Sequence, residues 1–387
     1  MRKFNAFLVL ALCSMVLLFN NCSTSYDLDS PTPTPEVVVP KPTGEFLVSP
    51  AGYRDPNTGI IAIYDKNGNM MKQVETGSTT MDFKKWVLKD GKVRYSYLKY
   101  DKNVYHMPNV GYNAGQIIVL DQDLKEINSL TLLPHADRTA ADNNALDGHD
   151  FILLSDNHYI SMAYFEKAVN NIPAELGAKE NCKVVAPIIQ EVENGKVIWE
   201  WDGTNEPELY KTSVEGNNYQ SNLAQDFAHI NSMFIDPKDN NMVLSFRNTN
   251  QVLKIDSKTG SIIWRLVGKN SDFPMTSEQK FLRQHHAYFL EDGKTIIMFD
   301  NGDLAERPFS RVAEYTLDEK TKKITKYKSM YLPDRSFSRY MGSVMKTDSS
   351  YFIGCGGDPR VIEMNHSTGE KMFEQQLALP SYRAYRY

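Results

Sequence analysis

Cysteine is scarce in this chain: 4 occur among 387 residues, and two of them, Cys13 and Cys22, lie near the N-terminus. The other two, Cys182 and Cys355, are far apart in sequence and form no CxxC or Cys/His spacing. This excludes a disulfide framework and a cysteine-based structural zinc site. We expect two separate buried thiols, with a single bridge between them as the alternative.

A surplus of basic charge is also missing. Lys+Arg 43 stand against Asp+Glu 48, which gives a net charge of -5, and no Arg-rich run or basic stripe occurs. A protein that binds a phosphate backbone needs such a positive surface. Nucleic acid is therefore not expected as a partner.

The N-terminal segment has the features of an export signal. In MRKFNAFLVLALCSMVLLFNNCSTS, two basic residues precede an apolar run that ends shortly before Cys22. This pattern predicts a signal peptide over residues 1–22, and a transmembrane anchor is the alternative, for which the run is short. Cys22 resembles a bacterial lipoprotein site, although Asn20 and Asn21 stand where small residues are usual, so simple cleavage stays open. We expect an exported protein, a periplasmic or outer-membrane lipoprotein that contacts the membrane through its lipid anchor only.

Residues 23–43 are rich in proline and threonine, as in DSPTPTPEVVVPKPTG. Such a composition cannot build a core and favours an extended tether. The folded domain is therefore expected to span residues 44–387.

Within this domain the chain repeats one pattern, a β-rich run, a polar turn and a second β-rich run, which predicts a hairpin. Six such units occur, at residues 60–75, 117–132, 188–202, 252–268, 312–329 and 361–377. A second hairpin follows each of the first five units, and no segment shows a helical period of apolar residues.

Two hairpins make a four-stranded blade, so the repeats predict an all-β fold, a six-bladed β-propeller with four-stranded blades. A pair of β-sandwiches is the alternative. We expect the sixth blade to take strands from SYRAYRY at the chain end and from EFLVSP near residue 46, which would close the ring.

Three of the second hairpins carry histidine at one equivalent position. His149, His229 and His285 each stand seven residues before an aspartate at the hairpin turn, namely Asp156, Asp236 and Asp292. In the first repeat the same offset falls on Phe83, and in the fifth it falls near Arg339 or Tyr340. If these hairpins supply the inner strands, the three imidazoles converge at one height around the central channel.

Antiparallel pairing predicts further neighbours, because the end of a hairpin returns beside its beginning. Arg247 should lie near His229, and Asp300 and Asn301 should lie beside His285, where we expect them to bind substrate. His286 should face the other side of its strand, away from the channel, since side chains alternate along a strand.

The residue types at this point favour an anion. Three histidines also suit Zn²⁺, but an arginine beside them would repel a cation, whereas His and Arg together bind an oxyanion such as sulfate or phosphate. We expect neither a metal nor a cofactor, and a metal-dependent site remains the alternative.

The motifs GHDF, HINSM, SFRN, QHHAYF and FDNGD follow one another in this order on the six repeats. Over residues 44–387 this set resembles the bacterial arylsulfate sulfotransferase (arylsulfotransferase) family. The resemblance implies a periplasmic propeller enzyme that moves a sulfuryl group from an aryl sulfate donor to a phenolic acceptor. It also implies a ping-pong mechanism through a sulfohistidine, independent of a nucleotide sulfate donor.

The resemblance also assigns residues. The family nucleophile lies in a Q-H-x-A motif, which makes His285 the nucleophile here. The sulfate-contacting histidines match His149 and His229, the arginine matches Arg247, and the HIN motif adds Asn231. The chain has no room for the separate N-terminal β-domain of better-known members, which leaves the oligomeric state open, and it lacks the closely spaced cysteine pair that some of them oxidise.

Two other classes of function stay open at this point. A non-catalytic extracytoplasmic propeller that binds a glycan or a protein would use the same scaffold, since fold does not fix function. A propeller hydrolase or lyase with a metal on the three histidines is the other.

Overall fold

The chain forms a ring of six antiparallel β-sheets in the computed structural model, which describes residues 44–387 apart from 53, 56, 105, 108, 109 and 137–144. The signal peptide predicted at 1–22, the lipidation of Cys22 and the tether at 23–43 lie outside these residues. The prediction of an all-β, six-bladed propeller with four-stranded blades is confirmed. In the part of the chain that is described, no helix has the length and apolar character needed to cross a membrane.

Each blade is built mainly from strands that are consecutive in sequence. Blade I contains β1 (Phe46–Pro50), β2 (Ile60–Tyr64) and β3 (Met70–Glu75); blade II contains β4 (Thr80–Val87), β5 (Val93–Tyr100), β6 (Ala114–Leu120) and β7 (Glu126–Leu130), with β8 (Leu146–Asp147) paired to β6; blade III contains β9 (Phe151–Ser155), β10 (His158–Val169), β11 (Cys182–Glu193) and β12 (Lys196–Asp202).

Blades IV to VI follow the same order. Blade IV contains β13 (Ile230–Ile235), β14 (Met242–Phe246), β15 (Gln251–Ile255) and β16 (Ile262–Leu266); blade V contains β17 (His285–Phe289), β18 (Thr295–Asp300), β19 (Arg311–Asp318) and β20 (Lys323–Tyr331); blade VI contains β21 (Ser343–Lys346), β22 (Ser350–Gly354), β23 (Arg360–Asn365) and β24 (Lys371–Gln376). The last strand, β25 (Ser381–Arg386), returns to blade I. The described helical segments are α1 (Pro207–Thr212) and the 3-10 turns Ala174–Leu176, Gly203–Asn205 and Arg247–Thr249.

The first strand of each blade lies next to the central channel. Neighbouring first strands contact one another around the ring, as β13 does with β17 and β25 does with β4. In blade I, burial falls from the inner to the outer strand, since every residue of β25 is buried whereas most of β3 is exposed. The starts of these inner strands therefore form one rim of the channel.

Ring closure differs from the sequence prediction. Strand β25 pairs with β1 in blade I, where Phe46 lies opposite Arg386 and Val48 opposite Ala384. Blade VI, by contrast, is complete from β21 to β24. The expectation that the chain end completes the sixth blade was wrong. Each repeated hairpin supplies the two outer strands of its blade, and the hairpin before it in sequence supplies the two inner strands. The first hairpin, at 60–75, has only β1 before it, so it needs β25.

Asp or Asn side chains fix most of the outer turns. Asp65 Oδ1 accepts hydrogen bonds from the backbone N–H groups of Asn67 (2.8 Å) and Asn69 (2.9 Å), and Asp121 does the same between β6 and β7. Such side chain to backbone bonds compete with strand pairing and so favour a turn at that point. The polar turns in the repeat pattern therefore have a direct physical cause.

Cys182 and Cys355 are free thiols, and both are 0% exposed. They are the two separate buried thiols that the sequence favours. Burial raises the pKa of each thiol, which keeps them protonated and unreactive at neutral pH.

A buried layer of charge crosses the channel below the rim. Arg383 of β25 reaches Asp82 of blade II (Nη1 to Oδ1, 3.2 Å) and Asp150, which precedes β9 of blade III (Nη1 to Oδ2, 3.2 Å). Lys84 contacts both carboxylates as well. We refer to these four residues as the charged layer. Buried charges of this kind are costly to leave unpaired, so the layer holds blades I, II and III in one arrangement beneath the rim.

Candidate active site

The three histidines at equivalent repeat positions lie at the starts of three adjacent inner strands. His149 stands just ahead of β9, His229 immediately ahead of β13, and His285 is the first residue of β17. All three side chains are buried. Nε2 of His149 lies 3.3 Å from Nε2 of His229, with the two rings nearly perpendicular. This placement agrees with the repeat alignment.

His149 and His229 each have a carboxylate partner. Nδ1 of His149 donates to Asp147 Oδ1 (2.6 Å), and Nδ1 of His229 donates to Asp226 Oδ2 (2.8 Å). Because a carboxylate only accepts hydrogen bonds, Nδ1 of each ring carries a proton. The two Nε2 atoms can then bond to each other only if one of them also carries a proton. The two Nε2 atoms thus face each other between two carboxylate-bound rings, in a position to share a proton.

His285 has an amide partner instead. Its Nδ1 lies 2.8 Å from Asn301 Oδ1. The amide nitrogen of Asn301 donates to the carbonyl oxygens of Ser338 (2.9 Å) and Met341 (2.9 Å), which fixes its oxygen toward the ring. Nδ1 of His285 therefore carries the proton, and Nε2 presents a lone pair. This Nε2 accepts a hydrogen bond from the backbone N–H of Met341 (3.2 Å).

Burial lowers the pKa of His285 well below its usual value. The charge of Arg247 and the two neighbouring histidines lower this pKa further, whereas the hydrogen bond that Nδ1 donates to Asn301 opposes the shift. Burial also lowers the pKa of His229, against the opposing effect of Asp226. His285 is thus held neutral over a wider pH range than a histidine in water.

Arg247 lies beside His229, as antiparallel pairing predicts. Its backbone N–H donates to the carbonyl of His229 (2.9 Å). Its guanidinium donates to Asn248 Oδ1 (2.9 Å) and to Glu215 Oε1 (3.3 Å). Glu215 also pairs with Arg283, so one carboxylate serves two arginines at the rim.

Asn231 connects blade IV to the start of β17. Its amide nitrogen donates to the carbonyl of Gln284 (2.6 Å), and its own carbonyl accepts from the hydroxyl of Tyr382 (3.2 Å) and from Arg383. The side-chain oxygen Oδ1 is buried and has no hydrogen-bond partner among the described residues. The structure thus places Asn231 between the histidines and the charged layer.

Asp300 takes a different position from the one expected of a substrate-binding residue. Its carboxylate accepts from Arg311 Nε (2.8 Å), from Arg307 and from the backbone N–H of Leu282 (2.9 Å). The side chain is 0% exposed. A carboxylate with these partners supports the chain that leads to His285 and leaves no room for a substrate contact.

His286 departs from the alternation expected for a strand. Its φ is 52°, and the register of β17 shifts between His285 and Tyr288. Its ring packs against Tyr385 of β25 at a centroid distance of 5.4 Å. Burial lowers its pKa well below the usual value, and the charges of Arg383 and Asp150 act on it as well. The expectation that His286 turns away from the channel was wrong, because the bulge directs it toward the charged layer.

The histidines do not offer three ligand atoms to one ion. In the described part of the chain, the group whose potential ligand atoms all lie within 4.8 Å of one another is Asp236, Asp239 and Glu319. The ammonium of Lys254 already contacts all three carboxylates, at 2.6, 2.7 and 2.8 Å. Among the described residues, the three histidines therefore do not form such a group.

Four residues of the site were missed from the sequence: Asp147, Asp226, Glu215 and Met341. The first two left a signal, since an acidic residue stands two or three positions before the histidine in LDGH and QDFAH, whereas FLRQH has none before His285. Glu215 and Met341 reach the rim from irregular segments, for which repeat alignment offers no equivalent position.

The chain is similar to known proteins at two levels, to solved structures and to a family model. A solved structure of a protein of unknown function from Bacteroides caccae is 12% identical, with 88% of this chain and 97% of that chain covered and a TM-score of 0.43. A functionally unknown protein from Desulfotomaculum acetoxidans is 9% identical, with coverages of 89% and 99% and a TM-score of 0.48. A nidogen/laminin complex is 9% identical, with coverages of 88% and 97% and a TM-score of 0.47. No curated protein matches. The family model described as Arylsulfotransferase (ASST) matches residues 57–386. Since this match spans nearly all of the described residues, the chain belongs to the arylsulfotransferase family.

Proposed function

We propose that this protein transfers a sulfuryl group from an aryl sulfate ester to a phenolic acceptor by a ping-pong mechanism, with a sulfohistidine on His285 and without a nucleotide sulfate donor or a cofactor. Family membership supports arylsulfotransferase activity in general, with an aryl sulfate donor and a phenol acceptor. The observation that carries the finer proposal is the difference in partners: Asp147 and Asp226 face two of the imidazoles, whereas Asn301 faces the third.

In the first displacement, the Nε2 lone pair of His285 attacks sulfur, and the bond between sulfur and the aryl oxygen breaks. The bonding electrons leave with the phenolate, which is a tolerable leaving group because the pKa of a phenol is about 10. Asn301 Oδ1 accepts a hydrogen bond from Nδ1–H, but a neutral amide does not take the proton away. The sulfated ring therefore keeps a positive charge and leaves readily in the second displacement.

The pair formed by His149 and His229 moves the proton. A proton held between the two Nε2 atoms would pass to the departing phenolate oxygen, and the pair would later accept the proton of the incoming phenol. The carboxylates of Asp147 and Asp226 would stabilise such a protonated pair, whereas His285 has an amide partner and no carboxylate. When different environments give neighbouring groups different protonation states, one group can act as acid or base and the other as nucleophile.

Arg247 would hold the sulfuryl oxygens while charge shifts across the group. Its planar guanidinium can bind two oxygens at once, and burial strengthens such contacts. In the structure the guanidinium of Arg247 donates to Glu215, and a bound sulfuryl group would replace this carboxylate as the acceptor. The backbone N–H of Met341 would lie next to a sulfuryl oxygen on Nε2, because it already points at that atom from 3.2 Å.

We further propose that the protein is exported and anchored as a lipoprotein through Cys22, in the periplasm or the outer membrane. The basic and apolar N-terminal sequence supports this.

The proposal predicts turnover that depends on an acceptor phenol. With 4-nitrophenyl sulfate alone, the protein should release about one equivalent of nitrophenol, because covalent transfer stops at the sulfohistidine. Adding phenol should restart release, and initial-rate lines at several phenol concentrations should be parallel. Continuous hydrolysis without phenol, or intersecting lines, would contradict the ping-pong scheme.

A second expected result concerns pH. Since the pKa of His285 is depressed, its neutral form persists as pH falls, and the rate of labelling by 4-nitrophenyl sulfate should stay nearly constant from pH 7.5 to 6.0. A histidine with the ordinary pKa of about 6.5 would lose about fourfold over this range. Single-turnover burst rates measure this step directly. A fourfold fall would show that the nucleophile titrates like an exposed histidine.

A further inference from the structure

The segment from Ser338 to Met341 is attached at both ends to Asn301, the hydrogen-bond partner of the nucleophile, and at Met341 also to His285 itself. Asn301 Nδ2 donates to the carbonyls of Ser338 and Met341, both at 2.9 Å, and the Met341 N–H faces His285 Nε2 at 3.2 Å. Met341 has a φ of 65°, which fixes a sharp bend at this point. Arg339 and Tyr340 therefore stand at the rim, between two residues that touch the catalytic groups.

Arg339 differs from the other arginines around the site. Arg247 and Arg283 share Glu215, and Arg307 and Arg311 share Asp300. The side chain of Arg339 is exposed and has no hydrogen bond or ion pair with any residue that the structure describes. Its charge nevertheless acts on the site through Arg247. Burial is the main cause that lowers the pKa of Arg247, and the charge of Asp226 raises this pKa. The charge of Arg339 lowers the same pKa further.

Tyr340 gives this arginine an aromatic neighbour. Its ring lies against the backbone of Gly357, where an added Cβ would come within 2.8 Å of the ring. The Tyr340 carbonyl accepts from the Gly357 N–H at 3.1 Å, and the residue remains 49% exposed. An aromatic surface thus stands at the rim beside an unpaired positive charge.

We propose that Arg339 binds an anionic substituent on the phenolic ring, so that the enzyme favours carboxylated aryl substrates over neutral ones. This inference rests on the proposed function. In a ping-pong reaction with one nucleophile, the donor ring and the acceptor ring occupy the same space in turn, with sulfur at His285. A single arginine at the rim would therefore select both substrates for the same charge.

The test compares matched pairs of phenols. As acceptors, 4-hydroxybenzoate and its neutral methyl ester are used with 4-nitrophenyl sulfate; as donors, the sulfate esters of the same two phenols are used. In Arg339→Gln, kcat/KM should fall about tenfold for the carboxylated member, mainly through KM, in line with loss of a charge-assisted hydrogen bond. The neutral ester should change less than about twofold. Arg339→Lys should keep most of the preference, and Arg339→Glu should reverse it.

Arg335→Gln is the matched control. Arg335 lies in the same irregular segment, but its guanidinium stacks on Phe309 and Tyr331, at 5.7 and 5.0 Å from the ring centroids. Its substitution should leave the ratio between the two phenols unchanged. Equal losses for both phenols in Arg339→Gln, or no loss for either, would overturn the proposal.

The two failures are distinguishable. If the wild-type protein transfers sulfate to the neutral ester but shows the same ratio as Arg339→Gln, the charge selection is wrong and the transfer chemistry stands. If the wild-type protein transfers nothing, the proposed function fails. Calorimetric binding of 4-hydroxybenzoate to the wild type and to Arg339→Gln then still tests the arginine, since a weaker affinity only in the variant supports it and equal affinities overturn it.

Discussion

Replacement of His285 by alanine is expected to abolish both sulfate transfer and covalent labelling. Nδ1 of this ring donates to Asn301, so the attacking lone pair is that of Nε2, which accepts only the Met341 N–H (3.2 Å) among the described residues. His149 and His229 cannot replace it, since each is paired to a carboxylate and to the other. We expect a loss of roughly 10⁴-fold or more, as when a covalent nucleophile is removed. Steady-state rates and mass spectrometry of the donor-treated protein measure the two effects.

His286→Ala is the control for this result. The side chain lies beside Tyr385 and the charged layer, so its loss should lower stability more than it lowers transfer. The peptide that contains QHHAYF should still carry one sulfuryl group, located on His285. A label on His286, or full activity in His285→Ala, would contradict the assignment of the nucleophile.

Much of this site could be predicted from the sequence because the repeat has a fixed register. Three histidines at the same distance from a turn aspartate must start equivalent inner strands, and antiparallel pairing then places Arg247 and Asn301 beside two of them. Equal spacing thus translates directly into convergence at the rim. Irregular segments carry no such register, which is why Glu215 and Met341 had no sequence signal.

The failures have equally local causes. His286 was misplaced because a bulge with positive φ breaks the alternation of side chains. Asp300 was assigned to substrate because pairing brings it near His285, but pairing does not determine what the side chain contacts, and its carboxylate pairs with two arginines. Closure was assigned to the wrong blade because the hairpin pattern does not show which strands are inner and which are outer.

Arg247→Lys is expected to lower turnover by roughly tenfold to a thousandfold. The substitution keeps the positive charge but loses the planar group that can hold two sulfuryl oxygens, and removal of one oxyanion donor has an effect of this size. The rate of labelling should fall in parallel with kcat/KM for the donor, since both report the first displacement.

Arg283→Lys provides the comparison. Arg283 pairs with the same Glu215, but its Nε lies toward Asp303 at 3.4 Å. We expect a smaller loss than for Arg247→Lys, because lysine keeps the ion pair and no donor to the sulfuryl group is removed. Unchanged turnover in Arg247→Lys would exclude Arg247 from the site, and equal losses in both variants would indicate a general effect of rim charge.

The pairing of β25 with β1 has a consequence for folding. Phe46 and Arg386 are opposite one another across a sheet, although nearly the whole described chain separates them. Contacts between such distant residues form slowly, because a long loop must close before they stabilise anything. The same strand brings Arg383 to Asp82 and Asp150, so these two carboxylates lack that partner until the strand docks. Assembly of the rim beneath which they lie should therefore be a late step, and a refolding experiment should recover β-sheet signal before it recovers the ability to label His285.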